Sequence, residues 1–273
     1  MSAKDFLTVI LFVALIALLP GTGYCTSVLQ QDFSAYPSGT YLSDAGWTMA
    51  GGYCGNCTIQ ITDASGFGPD VNAVTGATAA GRCGFISAYR NFTSAVPSGN
   101  SLVLTSQIYI HPNLFWVWDG FWDGTVAGGD NGDPRGVFLI GDSSGGFYLE
   151  ETSNEGGGAG FVTSYFGSDV TDGIYSVAIH LDASSQTAWA KIIAPGNQIY
   201  TSPTLDLALV GDTVASMTGV DLYVKNYQGG PPADFANFDV DASPVPEPLT
   251  LLAVGMGIAG LGGYIRRRRL AAK

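Results

Sequence analysis

Residues 174–181 read IYSVAIHL, residues 182–186 read DASSQ, and residues 187–191 read TAWAK. Apolar and polar side chains alternate along both outer segments, which is the period of a β-strand that buries one face. The segment between them is rich in Asp and Ser, whose short side chains favour turns. The stretch therefore predicts a β-hairpin, and it sets the period to look for in the rest of the chain.

Short alternating segments of the same kind recur on both sides of the hairpin. No long amphipathic helix with capping residues interrupts them between residues 28 and 243. We predict further strands at residues 58–62, 84–92, 102–111, 137–141, 146–151, 161–166, 199–202, 220–226 and 235–240, with a turn at 142–145. Many short strands in one stretch predict a single all-β domain of two packed sheets, a jelly roll or β-sandwich, at residues 28–243.

The charge composition limits what this domain binds. Charged residues make up 12% of the chain, and its formal net charge is −12. Residues 28–243 hold 5 basic and 21 acidic residues, so their net charge is 5 − 21 = −16. Nucleic-acid binding needs clustered Lys and Arg that neutralise phosphates. We therefore expect no nucleic-acid partner.

The N-terminus has the pattern of an export signal. Residues 6–19 are apolar with one exception and are broken by proline and glycine. The run is shorter than the ~20 apolar residues of a membrane helix and is typical of a secretory signal peptide. We predict the signal peptide at residues 1–27, with cleavage after Gly23, Cys25 or Ser27 left open.

The C-terminal segment, residues 244–273, has three parts. A proline-rich linker, PVPEP, comes first, and residues 249–265 then carry no charge. As a helix this apolar part reaches ~26 Å at 1.5 Å per residue, which is enough for a thin membrane span. The basic tail 266–273 contains Arg266, Arg267, Arg268 and Arg269. Such a cluster stays cytoplasmic, so we expect the β domain on the outer side of the membrane.

This tail resembles the PEP-CTERM sorting signal of bacterial exosortase substrates. Val245, Pro246, Glu247 and Pro248, the glycine-rich apolar segment and the arginine cluster occur in the order of that signal. The resemblance implies a Gram-negative bacterium whose exosortase cuts near the motif after a transient stay of the chain in the inner membrane. It also implies release to the cell surface or extracellular matrix, in contact with exopolysaccharide and biofilm. A permanently anchored envelope protein is the alternative.

Two phrases resemble the ends of concanavalin A-like jelly-roll domains. Residues 32–39 read DFSAYPSG and are followed by Gly46 and Trp47, similar to the F-x-x-Y-x-x-G opening of many secreted bacterial members. Residues 234–240 read DFANFDV and resemble the last strand. The resemblance implies that the last strand pairs near the first. It does not fix a function, because the fold hosts lectins, glucanases, lyases and non-catalytic modules.

Residues 115–124 read FWVWDGFWDG and contain Trp116, Trp118 and Trp122. One interpretation of this segment is a loop whose indoles stack on sugar rings, while neighbouring carboxylates bind sugar hydroxyls. The interpretation that we favour is that Trp116 and Trp118, two residues apart, point together into the core.

The only cofactor that the sequence suggests is Ca²⁺. Asp130, Asn131 and Asp133 follow the aromatic segment, and their oxygens are the hard ligands that Ca²⁺ takes. Their spacing is not that of an EF-hand. We favour solvated turn carboxylates at these positions over a Ca²⁺ site.

Three cysteines lie close together in the sequence. Cys54 and Cys57 form a C-x-x-C, and Cys83 follows. We predict a structural disulfide from Cys54 or Cys57 to Cys83, formed after export. A redox site would need the C-x-x-C at the start of a helix, and a zinc site would need a fourth ligand.

The sequence offers no clear catalytic pair, so we expect a protein that is not an enzyme. The glutamates of the domain are Glu150, Glu151 and Glu155, and they lack the aspartate of the E-x-D-x-x-E strand of laminarinase-type enzymes. A polysaccharide-active enzyme is the rival hypothesis, and a cleft holding Glu150 near Asp119 or Asp123 would favour it. Our expectation is a secreted surface or matrix protein, a structural or glycan-associated module of exopolysaccharide.

Overall fold

The computed structural model describes residues 25–52, 58–63, 66–67, 73–77, 84–111, 116–126, 134–142, 146–152, 161–162, 165–167, 170–207, 212–226 and 233–244. In this part of the chain sixteen strands follow one another. They are β1 (Thr26–Asp32), β2 (Thr48–Gly52), β3 (Thr58–Thr62), β4 (Ala73–Ala77), β5 (Gly84–Asn91), β6 (Asn100–Ile110), β7 (Trp116–Val126), β8 (Pro134–Asp142), β9 (Gly146–Thr152), β10 (Phe161–Val162), β11 (Gly173–Asp182), β12 (Thr187–Ala194), β13 (Gln198–Thr201), β14 (Leu205–Asp206), β15 (Gly219–Asn226) and β16 (Ala233–Pro244). Short 3₁₀ turns lie at Phe33–Ala35, Leu42–Ala45 and Val214–Ser216.

These strands form two antiparallel sheets. The nine-stranded sheet has the order β13-β12-β11-β6-β16-β4-β3, with β1 also beside β16 and β14 beside β12. The seven-stranded sheet has the order β10-β9-β8-β7-β15-β5-β2. The predicted all-β, two-sheet architecture is confirmed. Neighbours such as β6 and β11, or β5 and β15, are far apart in sequence, so each sheet combines hairpins with long-range pairings.

The predicted hairpin is present as β11 and β12. Its strands pair from Ser176 to Asp182, and the turn between them is closed by Asp182, whose carboxylate accepts 2.7 Å hydrogen bonds from the backbone and hydroxyl of Ser184. Gln186, the last turn residue, has φ 53°, a left-handed conformation that reverses the chain. The alternation seen in the sequence therefore separates a core face from an outer face.

The core lies between the two sheets and is made by alternate residues of each strand. The fully buried set includes Leu102, Leu104, Tyr175, Ile179 and Ile192 from the nine-stranded sheet and Val117, Phe121, Val137, Leu149 and Val220 from the seven-stranded sheet. Full burial of one such side chain is worth about 1.5–3 kcal/mol. This core holds the two sheets face to face and leaves each with one outer face.

The opening and closing phrases meet in the core, as the resemblance implied. Strand β1 pairs with β16, and the rings of Phe33, Trp47 and Phe238 pack together. Their centroids lie 6.0 Å apart for Phe33 and Trp47, 6.2 Å for Phe33 and Phe238, and 5.2 Å for Trp47 and Phe238. The tilted and edge-on arrangement is the geometry that aromatic rings prefer. Two distant parts of the sequence, the opening and the closing phrase, thus close the sandwich together.

The interpretation of residues 115–124 as a loop is wrong for residues 116–124, which lie in strand β7, whereas residue 115 lies outside the described residues. That strand pairs with β8 on one side and with β15 on the other. The Asp-Gly step at Asp119 and Gly120 suggested a turn, but Gly120 serves a close approach inside the sheet. A Cβ there would lie 2.2 Å from the carbonyl oxygen of Val137 and 2.7 Å from the Cα of Phe138. Glycine in a strand often marks such a contact.

Several expectations lie outside the described residues. They concern Cys54, Cys57 and Cys83, the ligands Asp130, Asn131 and Asp133, the sorting motif 245–248, the span 249–265 and the arginine cluster. Among the described residues, no helix has the length and apolarity that a membrane crossing requires. Cys25 is exposed and forms no disulfide with any described residue. Strand β1 begins at Thr26, inside the segment assigned to the signal peptide.

Candidate functional site

The outer face of the seven-stranded sheet carries a group of aromatic and acidic side chains. Core residues on its strands alternate with residues of the opposite face, as Val137 and Leu139 alternate with Phe138 and Ile140. We call this outer surface the aromatic face. Its members are Ser87, Tyr89, Trp122, Phe138, Ile140, Asp142, Tyr148, Glu150, Asp221 and Tyr223, with Tyr165 just beyond β10.

The centre of the aromatic face is buried. Phe138, Ile140, Tyr148 and Tyr223 form a second apolar cluster, separate from the main core. Beside it, the Ser87 hydroxyl donates a 2.9 Å hydrogen bond to the buried carboxylate of Asp221. This buried cluster and hydrogen bond form a packed base for the side chains at the margin of the aromatic face.

The three predicted tryptophans lie on one strand. Trp122 is 5% exposed, its ring packs on Tyr89 at 3.9 Å, and its indole N–H donates to the carbonyl of Thr125 at 2.8 Å. The backbone of Trp118 pairs with Ile140 and with Tyr223, and Trp116 begins the same strand. Contact of these tryptophans with a glycan stays a prediction.

One margin of the aromatic face is open, and we call it the Tyr165 corner: Tyr165, Tyr148, Asp142 and Glu150. Tyr165 is 53% exposed, its ring meets Tyr148 edge-on at 4.8 Å, and its hydroxyl donates to Asp142 Oδ2 at 3.4 Å. Burial, then the charge of Asp142 and its hydrogen bond, then the charge of Glu150, raise the pKa of Tyr165. The pKa of Tyr148 is raised by burial first and then by Glu150, Tyr165 and Asp142. Both carboxylates therefore act on the same two rings.

This corner combines an accessible ring with carboxylate acceptors. An aromatic ring can stack on the C–H face of a sugar, and carboxylates accept hydrogen bonds from its hydroxyls. Among the described residues, no group of three or more His, Cys, Asp or Glu is arranged to hold a metal ion.

Asp119 and Glu150 do not share a cleft. Asp119 points between the sheets and is 0% exposed, and the Ser106 hydroxyl of the opposite sheet donates a hydrogen bond to it. Burial raises the pKa of Asp119 to about 7, and the Ser106 hydrogen bond opposes the shift. Glu150 lies on the outer face of the same sheet. Asp123 lies in the irregular end of β7, where its carboxylate accepts 2.7 Å hydrogen bonds from the backbone and hydroxyl of Thr125.

The two histidines are on or beside the nine-stranded sheet. His111 Nε2 lies 2.9 Å from Asp234 Oδ2, and within the described residues no serine or cysteine is hydrogen-bonded to this histidine. His180 stacks on Trp189 across the hairpin, with centroids 3.7 Å apart and planes 5° apart. The His111–Asp234 pair thus has an orienting carboxylate but no adjacent nucleophile in the described chain.

The sequence alone did not predict that the residues of the Tyr165 corner lie together. Tyr148 and Glu150 were both in a predicted strand, and their spacing of two residues put them on one face. Asp142 was assigned to a turn, and Tyr165 lies 23 residues beyond it. Only the pairing of β8 with β9 and of β9 with β10 brings these residues together.

Solved structures similar to this chain include several lectins. The seed lectin of Lotus tetragonolobus superposes with a TM-score of 0.51 and 12% identity over 81% of this chain and 100% of that one. Peanut lectin, solved with a 9mer peptide, superposes with a TM-score of 0.52 and 8% identity over 80% of this chain and 99% of that one. The lectin UEA-II complexed with galactose superposes with a TM-score of 0.52 and 9% identity over 80% of this chain and 100% of that one. The fold is therefore a legume-lectin-like, concanavalin A-like jelly roll, as the two phrases implied.

No protein-family model matches the chain, and no curated protein matches it. At 8–12% identity the likeness to lectins shows the fold alone.

Proposed function

We propose that this protein is a non-enzymatic carbohydrate-binding module, exported and sorted by an exosortase to the cell surface or extracellular matrix, where it contacts exopolysaccharide. The observation that carries the binding proposal is the Tyr165 corner, an exposed ring beside two carboxylates on the outer face of a lectin-like sandwich.

The corner is suited to a sugar because it is preorganised. Tyr148 and Asp142 are buried in place, and Tyr165 rests against both. A rigid acceptor and a rigid stacking surface lose little conformational entropy when a ligand binds. A hexose that stacks on Tyr165 brings its hydroxyls within reach of Asp142 and Glu150. The galactose complex of UEA-II, a lectin of similar fold, supports this ligand class.

The charge of the domain selects among glycans. A net charge of −16 over residues 28–243 disfavours anionic polymers in direct contact. We therefore propose a neutral glycan as the direct ligand. Ca²⁺ bound by Asp130, Asn131 and Asp133 is a proposed second route, because it would bridge this acidic domain to an anionic chain.

The sorting proposal has the three-part tail as its support, with motif, apolar segment and arginine cluster in order. Its test is the intact mass of the mature protein from its native host, together with cell fractionation. Loss of the leader and of everything beyond Pro248 from a released protein is the expected result. A membrane-bound protein that keeps Arg266–Arg269 would contradict sorting and would favour a permanent anchor.

The binding proposal is tested with two exposed tyrosines. Tyr165→Ala removes the stacking surface, whereas Tyr41→Ala removes a tyrosine of similar exposure, 49% against 53%, on the other sheet. We expect Tyr165→Ala to weaken binding to galactose- and glucose-based oligosaccharides on an array about tenfold or more, since aromatic contacts contribute about 0.5–1.5 kcal/mol beyond the area that they bury. Tyr41→Ala should bind like the parent protein. Equal binding by both variants, or no binding by the parent, would contradict the proposal.

A further inference from the structure

The side chains of the Tyr165 corner form a row along strand β9. On the aromatic face, Asp142 is paired with Gly146 at one end of the row, and Glu150 lies four residues farther along β9. Tyr148 is between them, and the ring of Tyr165 packs against Tyr148. At ~3.3 Å per residue, the two acidic residues are ~13 Å apart along the strand. A ligand group at the Tyr165 ring therefore has one carboxylate on either side.

The charges that act on the two rings of the corner are negative. After burial, which is the first cause in each case, the charges of Asp142 and Glu150 raise the pKa of Tyr165 and of Tyr148. A negative potential disfavours the loss of a phenolic proton, which is the direction of both shifts. Both hydroxyls are therefore uncharged at neutral pH, and the same potential attracts a positive group.

The basic residues in the described strands of the seven-stranded sheet are placed away from the corner. Arg135 is near the start of β8, seven residues or ~23 Å from Asp142 at its end. Arg90 of β5 donates a hydrogen bond to the carbonyl of Ala45. Lys225 is on β15, which β7 separates from β8. Strands β9 and β10, which carry the corner, contain no lysine or arginine.

The ring of Tyr165 is itself a partner for a cation. It is 53% exposed, and it meets Tyr148 at an angle of 66°, so much of the ring remains accessible. An ammonium group over a tyrosine ring is attracted by the negative charge of the ring face, and its hydrogen bonds to carboxylates are strengthened by charge. A sugar with an ammonium group uses the ring and the carboxylates together, whereas a neutral sugar gains no charge attraction from either.

We propose that the Tyr165 corner prefers an amino sugar, in an otherwise neutral glycan whose residue at the Tyr165 ring carries an ammonium group. This preference rests on the proposed function, because it concerns the ligand of the same site. The net charge of −16 over residues 28–243 acts in the same direction at longer range.

Three β-1,4-linked hexamers separate the charge of the ligand from its shape. They are cellohexaose, the N-acetylglucosamine hexamer and the glucosamine hexamer, which carry a hydroxyl, a neutral acetamide and an ammonium group at the same ring carbon. By calorimetric titration at low salt, and at a pH that keeps the amines protonated, we expect the full chain to bind the glucosamine hexamer about tenfold more tightly than the other two. The difference should shrink at about 0.5 M NaCl, because salt screens exposed charges.

The variants remove one charge each. Glu150→Gln and Asp142→Asn neutralise the two carboxylates of the corner and keep side chains of similar size. Asp241→Asn, at an exposed position on β16 in the other sheet, changes the net charge equally and is the matched control. We expect the preference for the glucosamine hexamer to fall about threefold or more in each corner variant and to persist in Asp241→Asn. Thermal unfolding shows which variants are folded, and Glu150→Gln decides the matter if buried Asp142 does not tolerate replacement.

The outcomes separate the preference from the proposed function. Equal affinity for the three hexamers would overturn the preference and leave carbohydrate binding intact. A preference that persists in the folded corner variants, or that Asp241→Asn weakens as much as they do, would come from the overall charge of the domain and would also overturn it. Binding of none of the hexamers would contradict the proposed function and the preference together.

Discussion

Asp119 is a carboxylic acid in the middle of an apolar core. Its pKa is raised from 3.8 to about 7 by burial, so folding favours its protonated form. The contribution of protonated Asp119 to the free energy of unfolding is fully present below the ordinary pKa of 3.8, and it is lost as the pH rises toward about 7. The Ser106 hydrogen bond ties this acid to the opposite sheet, so its ionisation acts on the contact between the sheets.

The prediction at this residue concerns pH. Asp119→Asn keeps a hydrogen-bonding side chain and removes the ionisable group. We expect the free energy of unfolding of the parent, relative to that of Asp119→Asn, to fall by up to about 1.4 kcal/mol per pH unit between pH 4 and 7. Urea unfolding across this range measures it. Asp44→Asn, at an exposed position, is the control. Parallel profiles for the parent and Asp119→Asn would contradict a buried, titrating Asp119.

Gly120, the next residue, is constrained by close backbone contact. A methyl group there would lie 2.2 Å from the Val137 carbonyl oxygen. We expect Gly120→Ala to lower the free energy of unfolding by about 3 kcal/mol, at the upper end of overpacking costs. Thermal unfolding beside Thr105→Ala, an exposed strand substitution, measures it. A shift no larger than that of Thr105→Ala would mean that β7 and β8 do not approach as closely as described.

At the scale of the element, local signals were reliable where period and turn agreed. The hairpin at β11 and β12 has strict alternation and an Asp-Ser turn, and it was predicted within one residue at nearly every boundary. Strand β7 was missed because its Asp-Gly steps suggest turns. Strands β1, β2 and β4 are rich in polar or small residues, so their burial depends on partners that a local pattern does not reveal.

The closure of the sandwich gives a prediction at the same scale. Phe238 contacts both Phe33 and Trp47, so Phe238→Ala removes the ring that joins β16 to the opening phrase. We expect a loss of about 3–5 kcal/mol in the free energy of unfolding. Hydrogen exchange should accelerate first in β1, which pairs with β16. With Tyr41→Ala as the exposed aromatic control, exchange that rises uniformly over both sheets would contradict a local closure.

At the scale of the whole molecule, the sequence predicted the architecture of the domain but did not predict its candidate site. The sequence predicted two packed sheets, and the phrases at its ends predicted their closure. The Tyr165 corner depends on which strands are neighbours, because only the pairing of β8 with β9 and of β9 with β10 brings Asp142, Glu150 and Tyr165 together. Asp142 and Tyr165 are 23 positions apart, and no periodicity contains that pairing. The alternation in the sequence therefore indicates which side chains of a strand lie on its outer face, but it does not indicate which strand lies beside it.

The central claim is that this lectin-like sandwich binds carbohydrate of the matrix into which it is released. The most direct measurement is a calorimetric binding isotherm of the mature protein with the exopolysaccharide of its own host. The account predicts saturable binding that Tyr165→Ala weakens about tenfold or more and Tyr41→Ala leaves intact, in line with the contribution of one aromatic contact. The absence of heat and of saturation with that polysaccharide, from a folded protein, would contradict it.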